Sequence, residues 1–299
     1  MTATDAHAVW INPSRRILKK KGALCGGIRT GTDQIRNGYG NGDCLYFDFG
    51  NWVFAAADGS ERAPWSSRDL LQRLAKSLAL CGVPDTVSGW LDLVNEKVYA
   101  GQAYPHRATF SCVALRRDGA EIRLIVAHGG DSAVAVIDGA TGSFRRQTGC
   151  DMNFAGRSRA IADVTEYRVA GPDERLLIAT DGFDDLWRSG TRRSLIGGTA
   201  EAFWQGPVEG ICERLHGALE ESGNGVEHDD IGLILLDPNR MERIPGLAVM
   251  IGGTRPFEEE RYREEYAAGS HDRWLPDRCW SEHEREFAGA GIGLLIEAR

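Results

Sequence analysis

Cysteine is scarce and unpatterned in this chain, with seven residues in 299 and no CxxC spacing. That argues against both a thiolate zinc site and a disulfide framework and suits a reducing compartment. Cys81, Cys112 and Cys212 fall within apolar patterns and are expected in the core. Long apolar runs are also missing. No 18-residue apolar stretch occurs, and the first 30 residues hold no apolar segment of the secretory kind. Neither a membrane span nor an export signal is indicated, and the expectation is a soluble, cytoplasmic protein without a membrane partner. An excess of positive charge is absent as well. The formal net charge of −8 opposes a broad nucleic-acid surface, and no nucleic-acid partner is expected. The one basic run, RRILKKK from Arg15 to Lys21, reads as a solvated face or a flexible arm. Gly289, Gly291 and Gly293 complete no GxGxxG loop and read as strand glycines.

What the chain does have is aspartate at the ends of apolar runs. Asp58 follows WVFAAA, Asp181 follows LLIAT, and Asp229 precedes IGLILL by one residue. Runs of this kind suit strands buried on at least one face. If the strands are neighbours, three carboxylates meet at one edge. Two unit charges ~4 Å apart repel by roughly 4 kcal/mol at an effective dielectric of about 20, so such a cluster takes up protons or a cation. Asp58-Gly59 and Asp181-Gly182 equally fit plain turns. Aspartates with a backbone carbonyl make an all-oxygen donor set, which suits Mg²⁺ or Mn²⁺ rather than Zn²⁺.

Strands come in groups and helices in separate blocks. Cys44–Phe49 and Trp52–Ala57 flank Gly50-Asn51 and predict a tight hairpin. Helical spacing at Leu70, Leu71, Leu74, Ala75, Leu78 and Ala79 predicts a helix, with Ser66 or Ser67 as its N-cap and Cys81–Pro84 as its stop. Val87, Trp90, Leu91, Val94 and Val98 predict a second. Strands are predicted near residues 109–116, 121–128, 133–138, 165–169, 175–180 and 230–236, with a helix facing inward through Val208, Ile211, Cys212, Leu215 and Leu219. This grouping predicts an α+β layered fold. Beyond Pro238, IPGLAVMIGG and GIGLLIEA read as strands around a charged helix, PFEEERYREEYAAG.

The succession NGDC (Asp43), FAAADG (Asp58), TFSCVAL, AHGGDSAVAVID (Asp131), LLIATDGFDDL (Asp181) and HDDIGLILL (Asp229) resembles the protein phosphatase 2C family of metal-dependent serine/threonine phosphatases. The resemblance covers about residues 25–237. It sharpens the expected fold to a four-layer α/β/β/α sandwich of two stacked antiparallel sheets flanked by helices. It divides the chain into an N-terminal arm (1–24), a catalytic domain (25–237) and a C-terminal extension (238–299), an appended subdomain or docking element. It implies that Asp58 bridges two Mn²⁺ or Mg²⁺ ions, that the Gly59 carbonyl completes one shell, and that Asp181 and Asp229 hold the other ion. Asp43 would hold metal-bound water, and a water bridging the ions would attack phosphorus. Asp131 would bind a weaker third ion, or else simply turn the chain before Ala133. Asp230, where the family has Asn, would hydrogen-bond locally.

The chain departs from the family pattern at Gly38, where a phosphate-binding Arg is common, at Ser60-Glu61-Arg62, where a His is usual, and at Ala133, where the fourth motif has Arg. Arg36 and Arg62 are the basic residues nearest Asp43 and Asp58 and are the candidates to bind phosphate instead. His128 and His228, close to proposed site residues, read as supporting or surface groups. A GNH motif and a DxD pair, which other phosphoesterase folds require, are absent. The expected activity is hydrolysis of phosphoserine or phosphothreonine in a phosphorylated protein partner. The alternative is a catalytically weak, phosphatase-like module that binds such a partner in signalling. Oligomeric state is not legible.

Overall fold

In the computed structural model the described residues are 9–11, 16–32, 34, 41–61, 63–161, 163–188, 200–221, 227–253 and 278–296. They form two seven-stranded sheets stacked face to face, with helices on both outer faces. The strands are β1 (Val9–Ile11), β2 (Arg16–Lys20), β3 (Leu24–Arg29), β4 (Asp43–Asp48), β5 (Val53–Asp58), β6 (Phe110–Asp118) and β7 (Glu121–Gly129). They continue with β8 (Ala133–Asp138), β9 (Phe144–Gln147), β10 (Asp163–Arg168), β11 (Glu174–Ala179), β12 (Ile231–Leu236), β13 (Ala248–Gly252) and β14 (Ile292–Ile296). One sheet runs β1-β13-β4-β5-β6-β7-β10 and the other β14-β2-β3-β12-β11-β8-β9. All neighbours are antiparallel except β1 and β13. This is the α/β/β/α sandwich expected from the resemblance.

Strand periodicity explains why the apolar runs are continuous. Along β4, Leu45 and Phe47 face the other sheet while Cys44 and Tyr46 face outward, and along β5 Phe54 and Ala56 face in while Val53, Ala55 and Ala57 face out. Both faces are covered, so successive positions must all be apolar. The outer face of the first sheet is packed by α1 (Ser66–Cys81) and by α2 (Val87–Leu93), which runs on as a π-helical stretch, Val94–Tyr99. Leu70, Leu71, Leu74 and Leu78 of α1 lie in that layer with Trp90, Val94 and Val98, the residues whose spacing predicted both helices. Behind the second sheet lie α3 (Asp181–Arg188), α4 (Ala200–Gln205) and α5 (Ile211–Glu221). A last helix, α6 (Arg278–Gly289), sends Phe287 into the layer between the sheets. None of the described helices is long and apolar enough to cross a membrane.

Several local expectations are corrected. Trp65, not a serine, occupies the N-cap of α1 and makes no side-chain cap; Ser66 Oγ donates instead to the Arg107 carbonyl (2.6 Å) and Ser67 Oγ to that of Pro64 (3.2 Å). The turn between β4 and β5 spans four residues rather than two and is fixed by Asn51 N–H on Asp48 Oδ1 (2.8 Å). Cys81 ends α1 in solvent, whereas Cys112 and Cys212 are buried as expected. The charged helix predicted from PFEEERYREEYAAG lies outside the described residues.

The largest correction concerns the chain ends. RRILKKK is no loose arm: residues 16–20 form β2 between β14 and β3, with Ile17 and Leu18 fully buried. The segment after Pro238 is no appendage either. β13 pairs in register with β4, Ala248 opposite Asp48, and β14 pairs with β2, Ile292 opposite Lys20. Removing residues from Asn239 onward would strip β13 from β4 and β14 from β2, leaving open, apolar strand edges. The expected outcome is a chain without a cooperative melt by circular dichroism; a cooperative melt near the full-length temperature would show that these strands are dispensable.

Candidate active site

The layer between the sheets ends in polar residues at one rim. Asp43 and Asp58 are cross-strand partners on β4 and β5. Each continues the inward-facing alternation of its strand, Asp43 after Leu45 and Phe47, and Asp58 after Phe54 and Ala56. In the second sheet, Thr180 continues the inward series of Leu176 and Ile178 on β11, and Asp230 that of Ile234 and Leu236 on β12. The apolar core is thus capped by Asp43, Asp58, Thr180 and Asp230, with Asp181 and Asp229 each one residue away.

The local chemistry is built around Asp43, which is fully buried. Its Oδ2 accepts the Thr180 hydroxyl proton at 2.7 Å, while the same hydroxyl accepts Gly232 N–H at 2.8 Å. The hydroxyl has one proton to give, and of its two acceptors Asp43 Oδ2 is the nearer, with the Gly232 carbonyl at 3.2 Å. Asp43 Oδ1 is buried with no hydrogen-bond partner among the described residues. Asp58 N–H donates to Thr109 Oγ1 (2.8 Å), and Thr109 in turn contacts the Ser132 hydroxyl. Asp229 Oδ1 accepts from Gln34 Nε2 (3.0 Å) and from Asp230 N–H (2.7 Å). Asp181 opens α3, where its Oδ1 accepts Gly182 N–H at 2.9 Å; its Asp-Gly step starts a helix rather than closing a hairpin.

Asp230 is more than a local partner. Its two oxygens accept Gly31 N–H (2.7 Å) and Gly42 N–H (2.6 Å), tying the segment after β3 and the entry to β4 to the start of β12. Two glycines make this closure possible. A Cβ on Gly42 would lie 2.6 Å from the Gly59 carbonyl oxygen, and one on Gly182 would lie 2.0 Å from the Asp230 carbonyl oxygen. Any side chain there would push the site apart.

Burial, reinforced by the Asp230 charge, holds the Asp43 carboxyl well above the usual carboxylate range. Burial and the charges of Asp181 and Asp43 do the same to Asp58. Burial drives Asp230 up to about 8 despite its two backbone donors. His228 is lowered by burial, with Nδ1 against its neighbour's carbonyl, Asp229 O, at 2.7 Å. His128 is buried, bonded to Ser111 Oγ (3.0 Å) and the Gly149 carbonyl (2.7 Å), a satisfied core histidine.

A cavity of about 510 Å³ opens beside these carboxylates, lined in part by Asp58, Gly59, Asp229, Tyr104 and Arg107. Arg36 and Arg62 lie outside the described residues. Asp131 sits in the bend between β7 and β8, next to Ser132 and off this cavity lining. Thr180, Gln34 and Thr109 were not singled out from sequence; strand alternation along LLIAT marks Thr180 as inward-facing, but only the stacking of the sheets brings it to Asp43.

No protein-family model matches the chain. No curated protein matches it in sequence. Solved structures are similar in fold. One is the catalytic domain of the serine threonine protein phosphatase PstP in complex with two manganese ions, at 17% identity and TM-score 0.50, covering 74% of this chain and 98% of that one. Its fold is the protein phosphatase 2C fold. The PPM Ser-Thr phosphatase MsPP from Mycobacterium smegmatis, solved with cacodylate, is similar at 18% identity and TM-score 0.50, over 73% of this chain and 99% of that one. A bacterial serine phosphatase is similar at 13% identity and TM-score 0.50, over 74% of this chain and 98% of that one.

The residues present fit a divalent cation. The donors are all oxygen, Asp43 Oδ1 has no partner among the described residues, and neighbouring aspartate charges add to burial in raising the Asp43 and Asp58 carboxyls, a repulsion that bound positive charge would relieve. Among the described residues, no three such side chains are already closed around one point. Because these carboxyls titrate above the ordinary 3.8, the metal-free fold holds more protons than its unfolded chain from there up to about pH 8. Its stability is therefore greatest at acid pH and falls as pH rises through that window. Thermal melts in chelator are expected to drop from about pH 5 to about pH 8, with Mn²⁺ restoring more at the higher pH, and Asp43→Asn is expected to flatten the slope. A chelator melt that rises with pH would contradict the assigned repulsion.

Proposed function

We propose that this chain is a metal-dependent phosphatase acting on phosphoserine or phosphothreonine in a protein substrate. The observation that carries the reading is the meeting of Asp43, Asp58, Asp181, Asp229 and Asp230 at one rim of a protein phosphatase 2C fold, where burial and the neighbouring charges raise the carboxyls of Asp43, Asp58 and Asp230. Asp58, the Gly59 carbonyl, Asp181 and Asp229 would hold two Mn²⁺ or Mg²⁺ ions, with Asp131 assigned to a weaker third. When bound, such ions neutralise charge on the phosphate oxygens and ease deprotonation of water.

The chain's own residues supply position. Thr180 fixes the orientation of Asp43, whose free Oδ1 would orient a water and accept a proton from it. Gln34 holds Asp229, and Thr109 anchors the backbone of Asp58. Arg62, four residues past Asp58, is proposed to draw the phosphate toward the ions, with Arg36 as its alternative. The reading as a weak, phosphopartner-binding module is disfavoured by the cost of keeping this many carboxylates together, two of them buried, without a cation.

The test is hydrolysis of a phosphothreonine peptide and of para-nitrophenyl phosphate with Mn²⁺, Mg²⁺ or chelator. Activity is expected only with added metal. Asp58→Ala, Asp181→Ala and Asp229→Ala are each expected to lower kcat/KM by on the order of 100-fold or more, about 2.7 kcal/mol of transition-state stabilisation. Full activity in chelator would overturn the mechanism, and wild-type rates in Asp181→Ala would overturn that assignment. Arg62→Ala is expected to raise KM for the peptide; if neither it nor Arg36→Ala changes kcat/KM, both arginine assignments fail.

A further inference from the structure

The cavity beside Asp58 carries three carboxylates on its lining, Asp58, Glu61 and Asp229, and among the described residues a single cation, Arg107. The backbone of Arg107 is fixed to the loop that bears Asp58. Its carbonyl accepts Ser60 N–H (3.0 Å) and Ser66 Oγ–H (2.6 Å), and two residues on Thr109 N–H donates to the Asp58 carbonyl (2.9 Å). The side chain is exposed and makes no ion pair among the described residues. Its guanidinium lies 6.0 Å from the centre of the Tyr104 ring, and Tyr104 is itself 75% exposed. An exposed aromatic ring beside a guanidinium that no described carboxylate pairs, at the wall of an acidic cavity, has no structural purpose visible in the packing of the described residues.

We infer that Arg107, backed by Tyr104, anchors the phosphorylated segment of the substrate; this rests on the phosphatase reading of the same site. A phosphate dianion entering among three carboxylates needs positive charge that those carboxylates do not consume. Cations held by Asp58 and Asp229 are shared with their ligands, whereas Arg107 is paired with no carboxylate among the described residues and can turn its donors to the substrate. A guanidinium offers two parallel donors to phosphate oxygens, and stacking on Tyr104 limits the side-chain freedom lost on binding. The ring adds apolar surface for the residue beside the phosphorylated one. The site thereby favours a phosphopeptide over a small ester that offers Tyr104 nothing to touch. Arg107 stands apart in sequence from the arginine positions near Asp43 and Asp58 and reaches the cavity lining from a separate segment of the chain.

The experiment compares wild type, Arg107→Ala, Arg107→Lys and Tyr104→Ala with a phosphothreonine peptide, its unphosphorylated form and para-nitrophenyl phosphate. Arg107→Ala is expected to raise KM for the phosphopeptide by about tenfold, with the Mn²⁺-induced melting shift unchanged, and Lys is expected to restore only part. Tyr104→Ala is expected to raise KM for the peptide more than for the small ester. Wild-type kcat/KM in Arg107→Ala, in an otherwise active enzyme, would overturn the anchor and leave the phosphatase reading standing. If wild type hydrolyses neither ester, that reading falls instead, and calorimetry decides the anchor separately. Phosphate-dependent peptide binding that disappears in Arg107→Ala supports it; binding that is absent from wild type or persists in the variant overturns it.

Discussion

A rim of clustered carboxylates that repel one another, with Asp43 and Asp230 buried among them, is the constraint around which the rest of this fold is arranged. The apolar layer between the sheets supplies the rigidity to hold them, because Phe47, Phe54, Ile178 and Ile234 are each fully buried just beneath the rim. Close-packed interiors transmit strain instead of relaxing it. The carboxylates therefore stay together at a cost that the core below must offset. Thr180, Gly42 and the two backbone donors to Asp230 make sense in this light: each removes an alternative, fixing a rotamer, admitting a close approach or clamping a segment.

Much of this was legible in sequence, and for a physical reason. Asp43, Asp58, Asp181 and Asp229 stood out because doubly covered strands are continuous apolar runs, and an aspartate at the end of such a run marks where the core meets the rim. Asp230 was misjudged since its neighbour Asp229 suggested a local partner. Strand alternation in fact turns the two residues apart, and the targets of Asp230, Gly31 and Gly42, lie far away in the chain. Arg107 carried no signal at all. It belongs to no strand or helix, and its placement depends on backbone bonds to Ser60 and Ser66 that no periodicity encodes. The same blindness to distant pairing made β2, β13 and β14 look like appendages, although β13 of IPGLAVMIGG was itself expected as a strand.

The departures from the family pattern are concentrated on one kind of contact. On the proposed reading, the aspartates that would hold cations are kept, while Gly38, Ser60 and Ala133 stand where the resembled family has residues that would meet the substrate. A fold of this type can exchange the loops at its rim while leaving the strand ends alone, because the loops carry little of the packing. Site chemistry and substrate choice are then set by different parts of the chain.

The insertion of β13 beside β4 also bears on how the molecule comes into being. β4 carries Asp43, and its ladder partner on one side is not made until about 200 residues later, when Ala248 comes to lie opposite Asp48. Closing a loop of that length costs entropy before any contact repays it, and contacts so remote in sequence slow folding. On the ribosome, the strand bearing Asp43 would spend most of its synthesis with one edge bare, a form prone to mispairing. Asp43 and Asp58 meet as soon as β4 pairs with β5, whereas Asp181, Asp229 and Asp230 arrive only with β11 and β12, so the full charge that the finished site must tolerate is brought together late in the chain.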